Sequence, residues 1–220
     1  MAAPSRPRKR PGGTRGKTLR GRYDRSKSSE ERQAEQKTKL LDAARDVLGS
    51  KGWSGATVDA VLKECQLSRA TFYVHYKELD ELLIEAYQRA TSNGLRIIHE
   101  HIQSAELGAE RVRAGVTAYL MLVRDNPKIA RILLDIGPGA PAAVQTLRAA
   151  SIERSTALIM TRVAEAHAAG IIPNAPDELT IYALQGALET VAKRYLERGE
   201  PEKAMEAGPS MMRMFIRAIT

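Results

Sequence analysis

The sequence predicts an all-α fold: three short helices followed by a longer helical bundle, about nine helices in total. Three observations predict it. Alternating Val/Ile/Thr runs, the mark of half-buried strands, are nearly absent. Apolar residues recur at three- and four-residue spacing, as on one face of a helix. Gly and Pro cut the rest into helix-sized pieces, at Gly108, Pro127, the GPGAP run at 137–141, Gly170 to Pro176, and Gly199-Glu200-Pro201. With 220 residues, 43 % hydrophobic and 27 % charged, the chain is long enough for one large or two small domains with a real core. It shows no internal repeat, and no apolar run nears the roughly 18 residues of a membrane span.

Residues 1–30 are rich in Arg, Lys, Gly, Pro and Ser and nearly free of branched apolar side chains. Such a segment cannot bury enough surface to offset its ordering entropy, so it is expected to be a disordered basic arm. Ten of the 34 Lys/Arg lie within residues 1–27, against one of the 26 acids (Asp24), so this stretch carries +9 and the remaining 193 residues carry −1. A basic arm on a near-neutral body points to a polyanion, most often nucleic acid; a solvated tail without a partner is the alternative. The arm lacks the apolar core of a secretory signal and the amphipathic period of a transit peptide.

The first helix is predicted at 31–50. Leu40, Leu41, Ala44, Val47 and Leu48 form its apolar stripe, and Gly52 follows as a stop. The second, 57–65, opens at Thr57, a hydroxyl cap ahead of Val58, Val61, Leu62 and Cys65. Cys65 sits on that stripe and reads as a small buried hydrophobe. The third, 68–75, opens at a second cap, Ser68. Leu67 before the cap and Phe72 in the next turn have the spacing of a hydrophobic staple. Two short helices meeting through a three- or four-residue turn form a helix-turn-helix, whose second helix enters the major groove of DNA.

With Phe72 turned inward, the rest of SRATFYVHYK (68–77) is available for contact. Arg69 suits guanine O6/N7 and Ala70 a thymine methyl. Thr71, Tyr73, His75 and Lys77 suit phosphates, and Thr57 and Ser68 place helix N-termini toward anions. Tyr76 is open between packing and phosphate contact, since a tyrosine ring packs while its hydroxyl donates.

The stretch from Lys39 to Leu83 resembles the DNA-binding domain of the tetracycline-repressor (TetR) family of bacterial regulators. Gly52-Trp53 matches the family's turn, Thr57 its cap, and Ser68-Arg69-Ala70-Thr71-Phe72-Tyr73 its recognition helix; Val74-His75-Tyr76 falls in the trailing aromatic segment. The match covers about 45 residues. It departs from the family at Gln66, where a Gly is usual and positive φ is often needed, and at Ala70, where a Gly is common. It departs again at Leu79, where many members open the fourth helix with Lys; Lys77 is the nearest substitute. The resemblance implies residues 31–76 as the DNA-binding domain and 77–220 as a helical effector-binding and dimerisation domain. Ahead of such a domain the arm is placed to reach an adjacent minor groove through Arg6, Arg8, Lys9, Arg10, Arg15, Lys17, Arg20 and Arg22, raising affinity more than sequence choice.

The larger half is predicted as helices at 78–104, 110–125, 127–135, 141–169, 177–198 and 202–219. The 177–198 helix has Pro176, Asp177 and Glu178 at its positive end, and Gly199 stops it. Its small face, Ala183, Gly186, Ala187 and Thr190, lets another helix approach closely. Met211, Met212, Phe215, Ile216 and Ile219 recur at helical spacing in the last helix. Together with the resemblance, the pair suggests half of a four-helix homodimer interface; the alternative is a core within one chain. Tyr119, Met121, Ile132, Ile136, Leu158, Met160 and Tyr182 are candidates for a ligand pocket, though any bundle core needs such residues. A pocket so lined suits a hydrophobic or amphipathic small molecule. Arg96, Arg111, Arg113 and Arg148 are the candidate cations for a charged coenzyme.

A single cysteine excludes a disulfide framework or a cysteine-based zinc site within one chain. Of the four histidines only His99 and His101 are close, and they fall on different helix faces, so no metal site and no cofactor are expected. No Ser/His/Asp, HExxH or Gly-rich phosphate motif occurs, and the acids Glu78, Asp80, Glu81 and Glu85 open a helix, as its dipole favours. The expected function is a sequence-specific DNA-binding regulator, not an enzyme. It is expected to be cytoplasmic (nucleoid-associated on DNA) and to act as a small-molecule-responsive repressor on a near-palindromic operator. An activator, or an architectural DNA-binding protein without an effector, is the alternative.

Overall fold

The computed structural model describes residues 28–135, 139–218 and 220. Among them all regular structure is helical. Helix α1 spans Ser29–Lys51, two residues earlier than its apolar spacing predicts. Polar chemistry sets this start: the Ser28 hydroxyl accepts from the Glu31 N–H at 3.1 Å, and Glu31 Oε2 accepts from the Ser28 N–H at 2.7 Å. Gly52, at φ 67°, ends the helix, its N–H donating to the Leu48 carbonyl.

Helices α2 (Val58–Cys65) and α3 (Arg69–His75) are each capped as their sequences suggest. The Thr57 hydroxyl accepts from the Ala60 N–H and the Ser68 hydroxyl from the Thr71 N–H, both at 3.1 Å. Between them Gln66 adopts the left-handed conformation, φ 56° and ψ 30°. Among the described residues it is the only non-glycine with positive φ. The turn thus keeps the geometry that a glycine would relax. Gln66→Gly is expected to raise stability by about 1 kcal/mol in urea melts; an unchanged midpoint would show that the turn carries no strain.

Helix α4 (Leu79–Gln103) runs from this three-helix unit into the larger half. There α5 (Ala109–Asp125), α6 (Pro127–Leu134), α7 (Ala142–Ala168) and α8 (Glu178–Glu197) form the bundle. Asp177 caps α8, its carboxylate accepting from the Thr180 N–H at 2.7 Å. The last helix departs from expectation. In place of one helix over 202–219, a 3₁₀ helix spans Pro201–Ala207 and α9 spans Gly208–Arg217. Pro209 has no N–H and its ring crowds the carbonyl four residues earlier, so α-helical bonding cannot run through.

One core cluster joins the small helices to the start of α4, through Leu40, Val61, Phe72, Leu82 and Tyr87, with Cys65, Leu67 and Leu79 partly buried against it. Ile132 of α6 and Val144 of α7 join this cluster too, while three smaller clusters lie in the bundle, around Val123 and Leu196, Val116 and Leu188, and Ala166 and Ile172. Members of all three line one cavity.

Candidate nucleic-acid interface and bundle cavity

Helix α3 has only seven residues, too few to hold its shape alone, so packing must orient it. Phe72, wholly buried, supplies the anchor, with the Tyr73 ring edge-on at 5.2 Å and the Tyr76 ring at 6.1 Å. The opposite side of α3 is open. Arg69 and Ala70 are exposed, Tyr73 is 54 % and Val74 66 % exposed, and Lys77 just beyond the helix is exposed too. Ala70, Tyr73 and Val74 are spaced i, i+3, i+4, a single face, and Lys77 follows beyond the extended Tyr76. Val74 was not singled out from the sequence, although its four-residue spacing from Ala70 marks it.

Arg69 is tethered to Asp59 of α2 at 2.5 Å, and this hydrogen bond holds its guanidinium above the ordinary arginine range. Both partners face solvent, so the pair is weak and releases Arg69 readily. Thr71 is half-buried, its hydroxyl 2.8 Å from that of Ser68. His75 is half-buried with Nε2 3.4 Å from the Gln36 side-chain oxygen. Tyr76 is placed differently from its neighbours, at 5 % exposure. Its hydroxyl donates to Glu85 at 3.0 Å, and burial, reinforced by that carboxylate, pushes the phenol well above its usual range. The structure therefore makes Tyr76 part of the core that α3 rests on. Thr57 and Ser68 present the first turns of α2 and α3. The arm cations Arg6, Arg8, Lys9, Arg10, Arg15, Lys17, Arg20 and Arg22 lie outside the described residues.

The cavity, of about 680 Å³, lies among α4 to α9. Its lining is mostly apolar, including Ile98, Ile102, Val112, Val116, Ile159 and Val163. Of the sequence candidates, Tyr119 and Leu158 line it. Ile132 packs instead in the core under α1, Tyr182 is 55 % exposed on α8, and Met121 and Met160 are half-buried away from the cavity. Ile136 is outside the described residues. What the spacing could not reveal is the polar station on the wall: Arg148 donates to Glu189 at 2.6 Å and to the Leu133 carbonyl. Beside it burial, and then the negative charge of Glu189, raise the Tyr119 phenol well above its usual range, against the opposing Arg148.

On α8, Ala183, Gly186 and Thr190 are exposed and Ala187 is half-buried. Leu179 at 74 % and Tyr182 extend the same stripe. A Cβ added at Gly186 would meet nothing within 4 Å. On α9, Met211, Met212 and Phe215 are half-buried against Val116, Leu120 and Leu188 of the same chain. Ile216 is half-buried, and Ile219 lies outside the described residues.

Residues 40–86 match a family model described as bacterial regulatory proteins, tetR family, and residues 109–219 match one described as tetracyclin repressor-like, C-terminal domain. An uncharacterized HTH-type transcriptional regulator of Haemophilus influenzae is 24 % identical over 115 residues, 52 % of this chain and 56 % of that protein. The HTH-type transcriptional activator FasR of Mycolicibacterium smegmatis is 25 % identical over 101 residues, 46 % of each. The chain thus spans about half the length of the curated relatives it matches. Among solved structures, the transcriptional regulator FadR of Bacillus subtilis, in complex with stearoyl-CoA, superposes with a TM-score of 0.70 at 14 % identity, covering 83 % of this chain and 99 % of that one. This likeness is one of fold.

Proposed function

Because the chain belongs to the TetR family of bacterial regulatory proteins, we propose that it is a sequence-specific DNA-binding transcription regulator acting as a homodimer. The observation that carries this reading is α3 itself. One side is locked into the core by Phe72, while Arg69, Ala70, Tyr73 and Val74 stand in solvent as a short, rigid reading edge. Arg69 takes a guanine, Ala70 and Val74 meet thymine methyls, and Tyr73 and Lys77 hold phosphates. The arm, outside the described residues, adds phosphate affinity.

The uncovered stripe on α8 supports pairing with a second copy, which would set two α3 helices about 34–36 Å apart on a near-palindromic operator. The cavity supports control by a hydrophobic or amphipathic small molecule, and the acyl-CoA in the Bacillus subtilis FadR complex supports the same class. Helix α4 is the coupling element in this mechanism. Its first half packs in the core with α3, and its second half lines the cavity. A ligand that moves α4 alters the spacing of the two α3 helices and forfeits contacts at one half-site. The protein is then a cytoplasmic repressor without enzymatic activity. The activator reading is favoured by the Mycolicibacterium smegmatis relative, and transcription from the bound promoter, with and without the protein, separates the two.

Selection of bound duplexes from random DNA tests the reading. The wild type is expected to enrich an inverted repeat, and Arg69→Ala to relax discrimination at one base pair per half-site by about ten- to a hundredfold. Equal affinity for all sequences would remove the regulator reading.

A further inference from the structure

We propose that the bundle cavity takes an amphipathic anion, its acidic group held by Arg111 and its alkyl chain laid along the apolar wall of α4, α5 and α7. This rests on the reading of the cavity as the effector site and names what it selects. The wall carries five arginines, Arg96, Arg111, Arg148, Arg154 and Arg162, against one carboxylate, Glu189. Three of the five are already neutralised. Arg148 pairs with Glu189 and Arg96 with Glu100, both at 2.6 Å, and Arg162 pairs with Glu165 at 2.7 Å. Arg154 is exposed, where water serves it.

Arg111 differs from all four. It is half-buried, and no described carboxylate forms an ion pair with it. Its Nη2 donates to the Ala105 carbonyl at 3.0 Å, while its Nε is buried without a hydrogen-bond partner. That Nε is closed off by protein, but the residue lines the cavity and its charge has no carboxylate partner there; a carboxylate or a phosphate in the cavity would answer that charge with charge-assisted bonds to the rest of the guanidinium. The backbone around it favours the same sign of charge. Arg111 lies in the first turn of α5, whose cap, Gly108, also lines the cavity and offers no side-chain acceptor to the free N–H groups. Apart from the paired Arg148–Glu189 station, much of the wall is apolar, through Ile102, Val112, Val116, Ile159 and Val163. An unpaired cation on a largely apolar wall favours an amphipathic anion over a neutral hydrocarbon or a cationic drug.

Calorimetric titration of the full chain with dodecanoate, dodecanoyl-coenzyme A and dodecanol tests this against Arg111→Gln. At least one of the two anions is expected to bind the wild type and to weaken roughly tenfold or more in the variant. The affinity of dodecanol, strong or weak, should not depend on Arg111. Which anion responds distinguishes a free carboxylate from a phosphorylated thioester as the natural chemistry. Full anion affinity in Arg111→Gln, an equal loss for dodecanol, or no anion bound by the wild type overturns the proposal. Operator affinity is measured separately: an anion bound through Arg111 that leaves it unchanged refutes effector control and leaves this site standing.

Discussion

Phe72→Ala is expected to lower stability by about 3–5 kcal/mol and to abolish DNA binding at every sequence alike. The side chain is wholly buried, in contact with the rings of Tyr73 and Tyr76, and it sits in the core that joins α1, α2 and the start of α4. Alanine leaves a cavity that the surrounding core fills only in part. The effect on α3 is larger than the packing loss alone. Seven residues do not sustain a helix in water, and the Ser68 cap supplies only about 1 kcal/mol, so the anchor decides whether α3 persists. Urea denaturation gives the stability change, and titration with operator and random duplexes gives the binding change. Arg69→Ala should behave in the opposite way, with stability kept and discrimination lost. A loss below about 1 kcal/mol for Phe72→Ala, or retained binding, would mean that α3 is held by something other than its staple.

Gly49→Val is expected to force α1 away from α6 and to uncouple the two halves of the protein. A Cβ at Gly49 would lie 2.6 Å from Lys128 Cβ and 2.9 Å from the Lys128 Cα and carbonyl oxygen. Backbone cannot yield as a flexible side-chain tip does, so the helices must separate, at about 1–3 kcal/mol or more. Lys128 is in the first turn of α6, and Ala130, Leu133 and Leu134 of the same helix line the cavity. A second close approach lies further along, where a Cβ at Gly94 of α4 would meet Leu133 Cδ1 at 2.8 Å. Helix α6 therefore presses closely on both α1 and α4 while lining the cavity. The expected result for Gly49→Val is a lowered melting temperature and at least a tenfold loss of affinity for the full operator, with affinity for an isolated half-site kept. Equal losses on operator and half-site would place the damage in the reading unit itself, and no loss would show that α1 and α6 are not coupled.

The reading unit was largely legible in the sequence, because its determinants are local. Thr57 and Ser68 cap by bonding N–H groups three residues on, and Leu67 and Phe72 turn into the same core cluster. Even the left-handed Gln66 was marked, though by the family resemblance, in which a Gly is usual at that turn. Less was visible of α1's start, since the Ser28–Glu31 box is polar and adds nothing to an apolar pattern. The break before α9 was missed because Met211, Met212 and Phe215 keep helical spacing right after it, masking Pro209.

The cavity was not legible, for a physical reason. An apolar side chain that fills a core and one that faces a cavity have the same composition and period. Ile132 and Tyr119 differ only in what lies opposite them across the bundle. The same holds for charge. From the sequence Arg96, Arg111 and Arg148 are equivalent cations, and only the folded chain brings Glu189, 41 residues away, onto Arg148 and leaves Arg111 without a carboxylate. The sequence by itself determined the all-α class, the caps, the inward Phe72 and the helix-turn-helix segment, because each depends on contacts within a turn or two. Tertiary structure alone decided where space is left inside the bundle, which cation stays unmatched there, and how closely α6 presses on α1, because each is set by residues far apart along the chain.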